Sequence, residues 1–255
     1  MQNYIDELKY VISGEDYEIN DYIKIHAPYI HEICSFGESL YYHVINLFTR
    51  KPYDIAVELY DNGIDYQSIT DWDLFYETAP SIPQELSYII IDGVNFADFV
   101  PLINRETNMK YLVNKENENI IIDEAIYRQM VTYLRYVHYI SEKVEYDVGN
   151  SMAKKFLIDR MRRKAKKAEK DYLSGKRKIE SKIGNMIKYC VNSSGFKYDY
   201  DSVMNIKLCQ LYESYHFITH NKERDNVLSG IYHGSIDMSK MKDKSILNII
   251  PDLHK

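Results

Sequence analysis

The chain has 255 residues and a mass of 30.2 kDa, enough for one large domain or two modest ones. Hydrophobic residues make up 45% of it and charged residues 27%, with 10 Gly and 6 Pro, which excludes a collagen-like or wholly disordered chain. The net charge of −6 excludes a uniformly basic protein that coats nucleic acid.

The N-terminal part predicts a partly extended arm followed by several short helices. Residues 17–25 alternate well enough for one short strand. Apolar residues over 38–48 recur at helical spacing, and Pro52 opens a further helix that Gly63 ends. Thr70 has the residue type of an N-cap, so another helix is expected directly after it.

The pattern changes to short β-prone runs in the middle of the chain. These runs cover residues 86–91, 98–104, 109–113 and 119–122, and turn-forming stretches separate them. A small antiparallel sheet of three or four strands is the simplest interpretation.

Long helices are expected after the sheet. Asp123 caps one that extends to about Lys143, and a second starts near Ser151. Residues 178–190, with Ile179 in their apolar stripe, form an amphipathic third segment.

A last long helix begins at a cap formed by Asp201 or Ser202, and an irregular tail follows it. We therefore expect an α+β protein, mainly α, with three regions. Residues 1–80 are helical, residues 81–123 form a small antiparallel β region packed with them, and residues 124–255 hold the long helices.

A strongly basic segment covers residues 154–182. It holds 13 Lys and Arg side chains and four acidic ones, a net charge of +9, so that the rest of the chain carries −15. Its densest cations are Arg160, Arg162, Arg163, Lys164, Lys166 and Lys167. Such a helix could bind a phosphate backbone by counterion release, face solvent, or dock on the acidic part of its own chain or of a neighbouring copy. Aromatic residues are sparse in it, which disfavours base stacking.

Two groups carry metal-ligand side chains but are incomplete as zinc sites: Glu213, His216 and His220 in the last helix, and His26, His31 and Cys34 near the N-terminus. Packed helix residues explain both groups as well as a metal does. The apolar run around Cys34 predicts a thiol in the core. We expect no bound metal.

Signatures of catalysis are missing from the sequence. No GxGxxG follows a strand, and neither a phosphate-binding loop nor GxSxG is present. An EF-hand around Gly63 would place Tyr60 and Ile69 where carboxylates are required, so we reject it. We expect a protein that is not an enzyme and holds no cofactor.

The cysteines and the first residues indicate where the protein is found. Three scattered Cys without CxxC spacing suit a reducing compartment. The start lacks the pattern of a signal peptide, and no apolar run approaches the ~18 residues of a membrane span. We expect a soluble intracellular protein without a membrane partner.

Several segments together resemble a family of tailed-bacteriophage proteins from Firmicutes hosts. They read IKIHAPYIHEICSFGESLYY, then PYDIAVELYDNGIDYQSITDWDLF, IIIDEAIYRQMVTYLR and finally LCQLYESYHFITHNKERDNVLSGIYHGSIDMSKM. Residues 246–249 stand where family members often have a C-terminal Trp. Phages of AT-rich hosts share a Tyr-rich composition, which favours a genomic origin for the 25 Tyr over a role in wet interfaces.

The resemblance implies a non-enzymatic morphogenesis factor, most simply a tail-assembly chaperone for the tape-measure protein or another tail component. Its partners would be tape-measure or tube proteins and further copies of itself, in the host cytoplasm during assembly or in the virion. The alternatives are a nucleic-acid-binding protein that uses residues 154–182 and a phage factor that acts on a host protein. An adaptable apolar groove would suit a helical client; the candidate groove residues are Trp72, Leu74, Phe75, Leu211, Tyr212 and Tyr215.

Overall fold

The structure, a computed structural model, describes residues 5–91, 93–141, 149–176, 178 and 180–251. It is 58% helix and 8% strand, which confirms the α+β, mainly α, class. The α-helices are α1 (Ile30–Phe36), α2 (Glu38–Thr49), α3 (Ala56–Asp61), α4 (Asp71–Thr78), α5 (Gln84–Ser87), α6 (Glu124–Val137), α7 (Ser151–Leu173), α8 (Lys182–Val191) and α9 (Leu208–Tyr232). The strands are β1 (Tyr17–Glu18), β2 (Lys24–Ile25), β3 (Phe99–Ile103), β4 (Lys110–Asn114) and β5 (Ile121–Asp123).

The N-terminal arm is more ordered than the sequence predicts. A π-helical turn spans Leu8–Ile12, and the expected single strand is a hairpin of β1 and β2. Asn20 closes this hairpin, because its side chain accepts hydrogen bonds from the backbone N–H groups of Tyr22 and Ile23. Ile23 and Ile25 point into the core and are fully buried.

Local signals placed the short helices correctly. Thr70 and Asp73 form a capping box at the start of α4, each side chain accepting from the other residue's backbone N–H. Pro52 opens a 3-10 turn that leads into α3, and Gly63 follows that helix with a φ of +74°.

The sheet has three antiparallel strands in the order β3-β4-β5. Val100 pairs with Val113, and Leu112 pairs with Ile122. Leu112 and Ile122 are fully buried, so they form the core-facing side of the sheet.

The prediction of a strand over 86–91 is wrong. Pro83 begins the short helix α5 there, and a turn follows. The Ile89–Ile91 run is buried but pairs with no neighbouring strand; instead, the Ile90 carbonyl accepts a hydrogen bond of 2.7 Å from the His26 backbone N–H. The run resembles a strand in sequence because its residues are buried and β-branched, although it pairs with no strand.

The long helices start and end differently from the predictions. Asp123 caps α6 as expected, but α6 ends at Val137, and the predicted end at Lys143 lies outside the described residues. In α8, which begins at Lys182, Ile183 keeps the predicted apolar stripe, whereas the predicted stripe residue Ile179 also lies outside the described part.

The start of α9 was predicted too early. Residues Ser202–Asn205 form a separate 3-10 turn, and α9 begins at Leu208. Between them the chain is extended and pairs with the segment before α1: Ile30 N–H donates to the Ile206 carbonyl, and Leu208 N–H donates to Pro28. This pairing with a distant segment prevents one continuous helix.

One main core draws on all three regions, from Ile5 to Tyr212. At its centre the Tyr41 hydroxyl lies 2.7 Å from Nε2 of His138, whose Nδ1 lies 2.7 Å from the Leu134 carbonyl. Because that carbonyl can only accept, Nδ1 carries the proton and Nε2 accepts from Tyr41. Burial lowers the pKa of His138 to about 4.

The prediction of a core position for the Cys34 thiol is wrong, because this thiol is exposed. Ile30 and Ile33 take the buried face of α1, which leaves Cys34 on the outer face. In the part of the chain that the structure describes, no helix has the length and apolarity that crossing a membrane requires.

The buried His138 predicts a stability that depends on pH. Its pKa is lower in the folded chain than the usual 6.5, so the unfolded chain binds more protons between pH 6.5 and 4. The free energy of unfolding should therefore fall by ~3 kcal/mol as the pH drops through this window, and the loss should level off below about pH 4.

Urea denaturation at several pH values measures this effect, with His138→Gln as the control that cannot titrate. The variant should be less stable at pH 7 and should lose less stability than the wild type between pH 6.5 and 4. Parallel pH profiles for the two proteins would contradict the assignment.

Candidate functional site

The basic helix α7 has one docked face and one open face. Asn150 caps it, because its side chain accepts from the Ala153 backbone N–H. Among its 23 residues, all of them described, Ile158 is the one fully buried side chain. The helix is therefore attached along a single line of contact.

The docked face of α7 packs on α3 and on the turn after it. Ile158 joins a small apolar cluster with Ala56, Leu59 and Tyr66, separate from the main core. Leu157 and Met161, half-buried, extend this contact along the helix.

Ion pairs flank the cluster on both sides. Lys154 Nζ donates to Asp65, and Arg162 donates to Asp61. The hydrogen bond from Lys154 lowers the pKa of Asp65. The acidic turn after α3, which does not match an EF-hand, thus holds the start of the basic helix. Docking on the acidic part of its own chain was one of the alternatives that the sequence allowed.

The opposite face of α7 carries what we call the basic stripe: Arg160, Arg163, Lys167 and Lys170. These residues are exposed and lie three or four positions apart, hence on one helix face. Met152 and Phe156 precede them at the same spacing and are 82% and 66% exposed.

The six cations singled out from the sequence have different surroundings. Arg162 is half-buried and paired with Asp61 and Asp159, whereas the others are exposed. Arg163 Nε donates to the Asp159 carbonyl. No residue that the structure describes forms a hydrogen bond or ion pair with the side chains of Arg160, Lys164, Lys166 and Lys167.

The predicted apolar groove is closed in this structure. Trp72, Leu74, Phe75, Leu211 and Tyr212 are at most 7% exposed. The ring of Tyr215 is half-buried and packs edge-on against Tyr189, with 5.3 Å between centroids. Trp72, Phe75, Leu211 and Tyr212 belong to the main core and attach α4 and α9 to it.

The histidines among the candidate metal ligands contact other protein groups. His26 lies between Asp16 and Glu32, 3.1 Å from each, and His31 Nδ1 lies 3.0 Å from the Met204 carbonyl. Nε2 of His220 lies 2.9 Å from the Asn248 carbonyl in the same way. Within the described ranges, no three His, Cys, Asp or Glu residues are grouped to hold a metal ion.

A cleft of about 240 Å³ opens between α2, α6 and the turn before α3. Arg50 and Arg135 line it. Arg135 donates to the Thr49 carbonyl at the end of α2 and to Asp71, so it joins these elements.

A second charged surface, distinct from the basic stripe, lies near the N-terminus. We define the acidic patch as Glu15, Asp16, Glu18 and Asp21, all of them exposed. A hydrogen bond from Lys24 to Glu18, and the charge of Glu18, raise the pKa of Lys24, to which Asp16 and Asp21 add smaller effects. Glu18, Asp16 and Asp21 thus act together on Lys24 in this hairpin.

Two exposed apolar side chains lie in the turn beside this patch. Leu8 and Ile12 are 72% and 54% exposed and four residues apart. The Ile12 carbonyl accepts from Gln210, which fixes the turn to the start of α9. The density of acids over residues 6–21 was the signal in the sequence that could have identified this surface.

Comparison with known protein families gives one match. Residues 175–250, under a third of the chain, are similar to the family described as the YomV second domain, a phage-associated family. The match begins just after α7 and includes α8 and α9. No curated protein and no solved structure matches significantly. The C-terminal part thus supports a phage protein family.

The docked face predicts that apolar packing, more than its ion pairs, holds α7 in place. Ile158→Ala should remove about 2–5 kcal/mol of docking energy, whereas an ion pair this exposed contributes about 0–1 kcal/mol. Limited trypsin digestion should cut α7 more than about tenfold faster in Ile158→Ala.

Asp61→Asn with Asp65→Asn should accelerate the same cleavage only a few-fold. Leu173→Ala is the matched control, because Leu173 is 76% exposed. Equal acceleration by Ile158→Ala and by the double variant would show that the ion pairs matter as much as the packing.

Proposed function

We propose that this protein is a non-enzymatic phage morphogenesis factor that acts in tail assembly by binding an acidic partner through the basic stripe of α7. The exposed stripe is the observation that carries the proposal, because no side chain in the described part of the chain pairs with Arg160 or Lys167. The phage-associated family over residues 175–250 supports the biological setting.

The residues around the stripe favour a protein partner. Met152 and Phe156 extend it with exposed apolar surface, and interfaces between proteins combine such apolar anchors with a charged rim. An electrostatic stripe also speeds association, because it steers an acidic partner toward the face.

A tail-assembly chaperone would hold its client, the tape-measure protein or another tail component, in the host cytoplasm and release it before the particle is complete. Because Trp72, Phe75 and Tyr212 are buried in the core, we assign the client surface to the outer face of α7 instead. An amphipathic acidic helix is the client type that fits such a face.

Co-expression with the tape-measure protein of the same phage tests this function. The wild-type chain should raise the soluble yield of the client and co-purify with it, and Phe156→Glu should abolish both effects. Tyr232→Glu, at an aromatic residue on α9 that is 84% exposed against 66% for Phe156, should change neither.

A client that stays equally insoluble with or without the chain would refute the chaperone role. Detection of the chain in purified virions would favour a structural component, because assembly chaperones leave before maturation.

Nucleic-acid binding is the second candidate, favoured by the helical spacing of Arg160, Arg163 and Lys167 on one exposed face. A salt series of gel shifts tests it with double-stranded and single-stranded DNA and RNA. The slope of log K against log salt is negative. Arg160→Glu with Lys167→Glu should reduce its magnitude by about 2, close to one unit per lost phosphate contact. The absence of any shift at about 50 mM salt would rule it out.

A further inference from the structure

We propose that the basic stripe binds the acidic patch of a second copy of this chain. The inference rests on the binding role proposed above for α7 and concerns what occupies that same face when no client is bound. Four observations lead to it. They are the charge balance, the apolar residues beside each surface, the separation of the two surfaces within one chain, and the cations of the stripe that pair with no described residue.

The charge balance of the chain is divided between two places. The segment 154–182 carries +9 within a chain of −6. Residues 5–25 hold six acidic side chains and two Lys, a net charge of −4. Each copy therefore presents one cationic and one anionic surface, which attract each other in the pair and repel their own kind.

Each charged surface also has an apolar pair at the same spacing. Met152 and Phe156 lie four residues apart before the stripe, and Leu8 and Ile12 lie four residues apart beside the acidic patch. All four are more than half exposed. One exposed ion pair contributes only about 0–1 kcal/mol, so a stable contact would need several charges and both apolar pairs together.

Within one chain the two surfaces belong to different contacts. The docked face of α7 packs on α3, whereas the Leu8–Ile12 turn packs on the start of α9. No ion pair joins the two surfaces among the described residues of one chain, so the proposed contact forms between copies. Two reciprocal contacts would close an isologous pair, whereas a single heterologous contact that repeats would build a ring or a chain of copies.

Light scattering on the nuclease-treated full chain measures this association. At about 50 mM NaCl the mass should rise with concentration to at least twice 30.2 kDa, and about 1 M NaCl should return it toward one copy, because the Debye length shortens to ~3 Å. Phe156→Ala should weaken the association about tenfold or more.

Charge reversal identifies the two surfaces. Arg160→Glu with Lys167→Glu should be monomeric, and so should Glu15→Lys with Asp21→Lys. Mixed together, the two double variants should associate again, because each supplies the charge that the other now needs. Lys242→Glu with Lys244→Glu reverses the same number of exposed cations elsewhere and should associate like the wild type.

Circular dichroism and thermal unfolding show that each variant remains folded. A wild-type chain that is monomeric under all of these conditions overturns the inference, as does association that survives both reversals or a mixture that fails to associate. These outcomes leave the tail-assembly role standing, since co-purification with the client tests that role separately.

Discussion

The helices at the centre of this protein are joined by hydrogen bonds of tyrosine hydroxyls to polar groups of other helices. A hydroxyl buried without a hydrogen bond is costly, which favours such pairing. Tyr41 reaches His138 across α2 and α6. The hydroxyls of Tyr42 and Tyr212 lie 2.8 Å apart, and Lys182 donates to Tyr212 from α8 at 2.7 Å. These contacts fix how four helices meet.

The same network joins the part of the chain with a family match to the part without one. Lys182 and Tyr212 belong to residues 175–250, whereas Tyr42 belongs to α2. Glu38 adds a second link, because its carboxylate accepts from the Ile183 backbone N–H at 2.8 Å. The similarity to a phage-associated domain thus concerns a segment whose packing depends on the N-terminal helices.

Helix α7 takes no part in this hydrogen-bond network. It is attached to the rest of the protein on one side only, which explains the basic stripe. It sends Ile158 into a small apolar cluster and shares no residue with the main core. A helix held on one side only needs polar side chains on the other, and here they are almost all cations. The acidic turn at Asp61 and Asp65 neutralises two cations of the docked side, Lys154 and Arg162, which do not belong to the stripe.

The sequence by itself determined the features that depend on neighbours a few residues away. Such short-range contacts account for the capping box at Thr70, the cap at Asp123 and the glycine after α3. The pattern of residues along the chain also determined the fold class and the separation of charge. The tertiary structure alone decided which side chains reach solvent, because burial depends on partners far away in sequence. It buried Trp72 and Tyr212, which the sequence predicted to line a groove, and it left Cys34 and the basic stripe exposed to solvent.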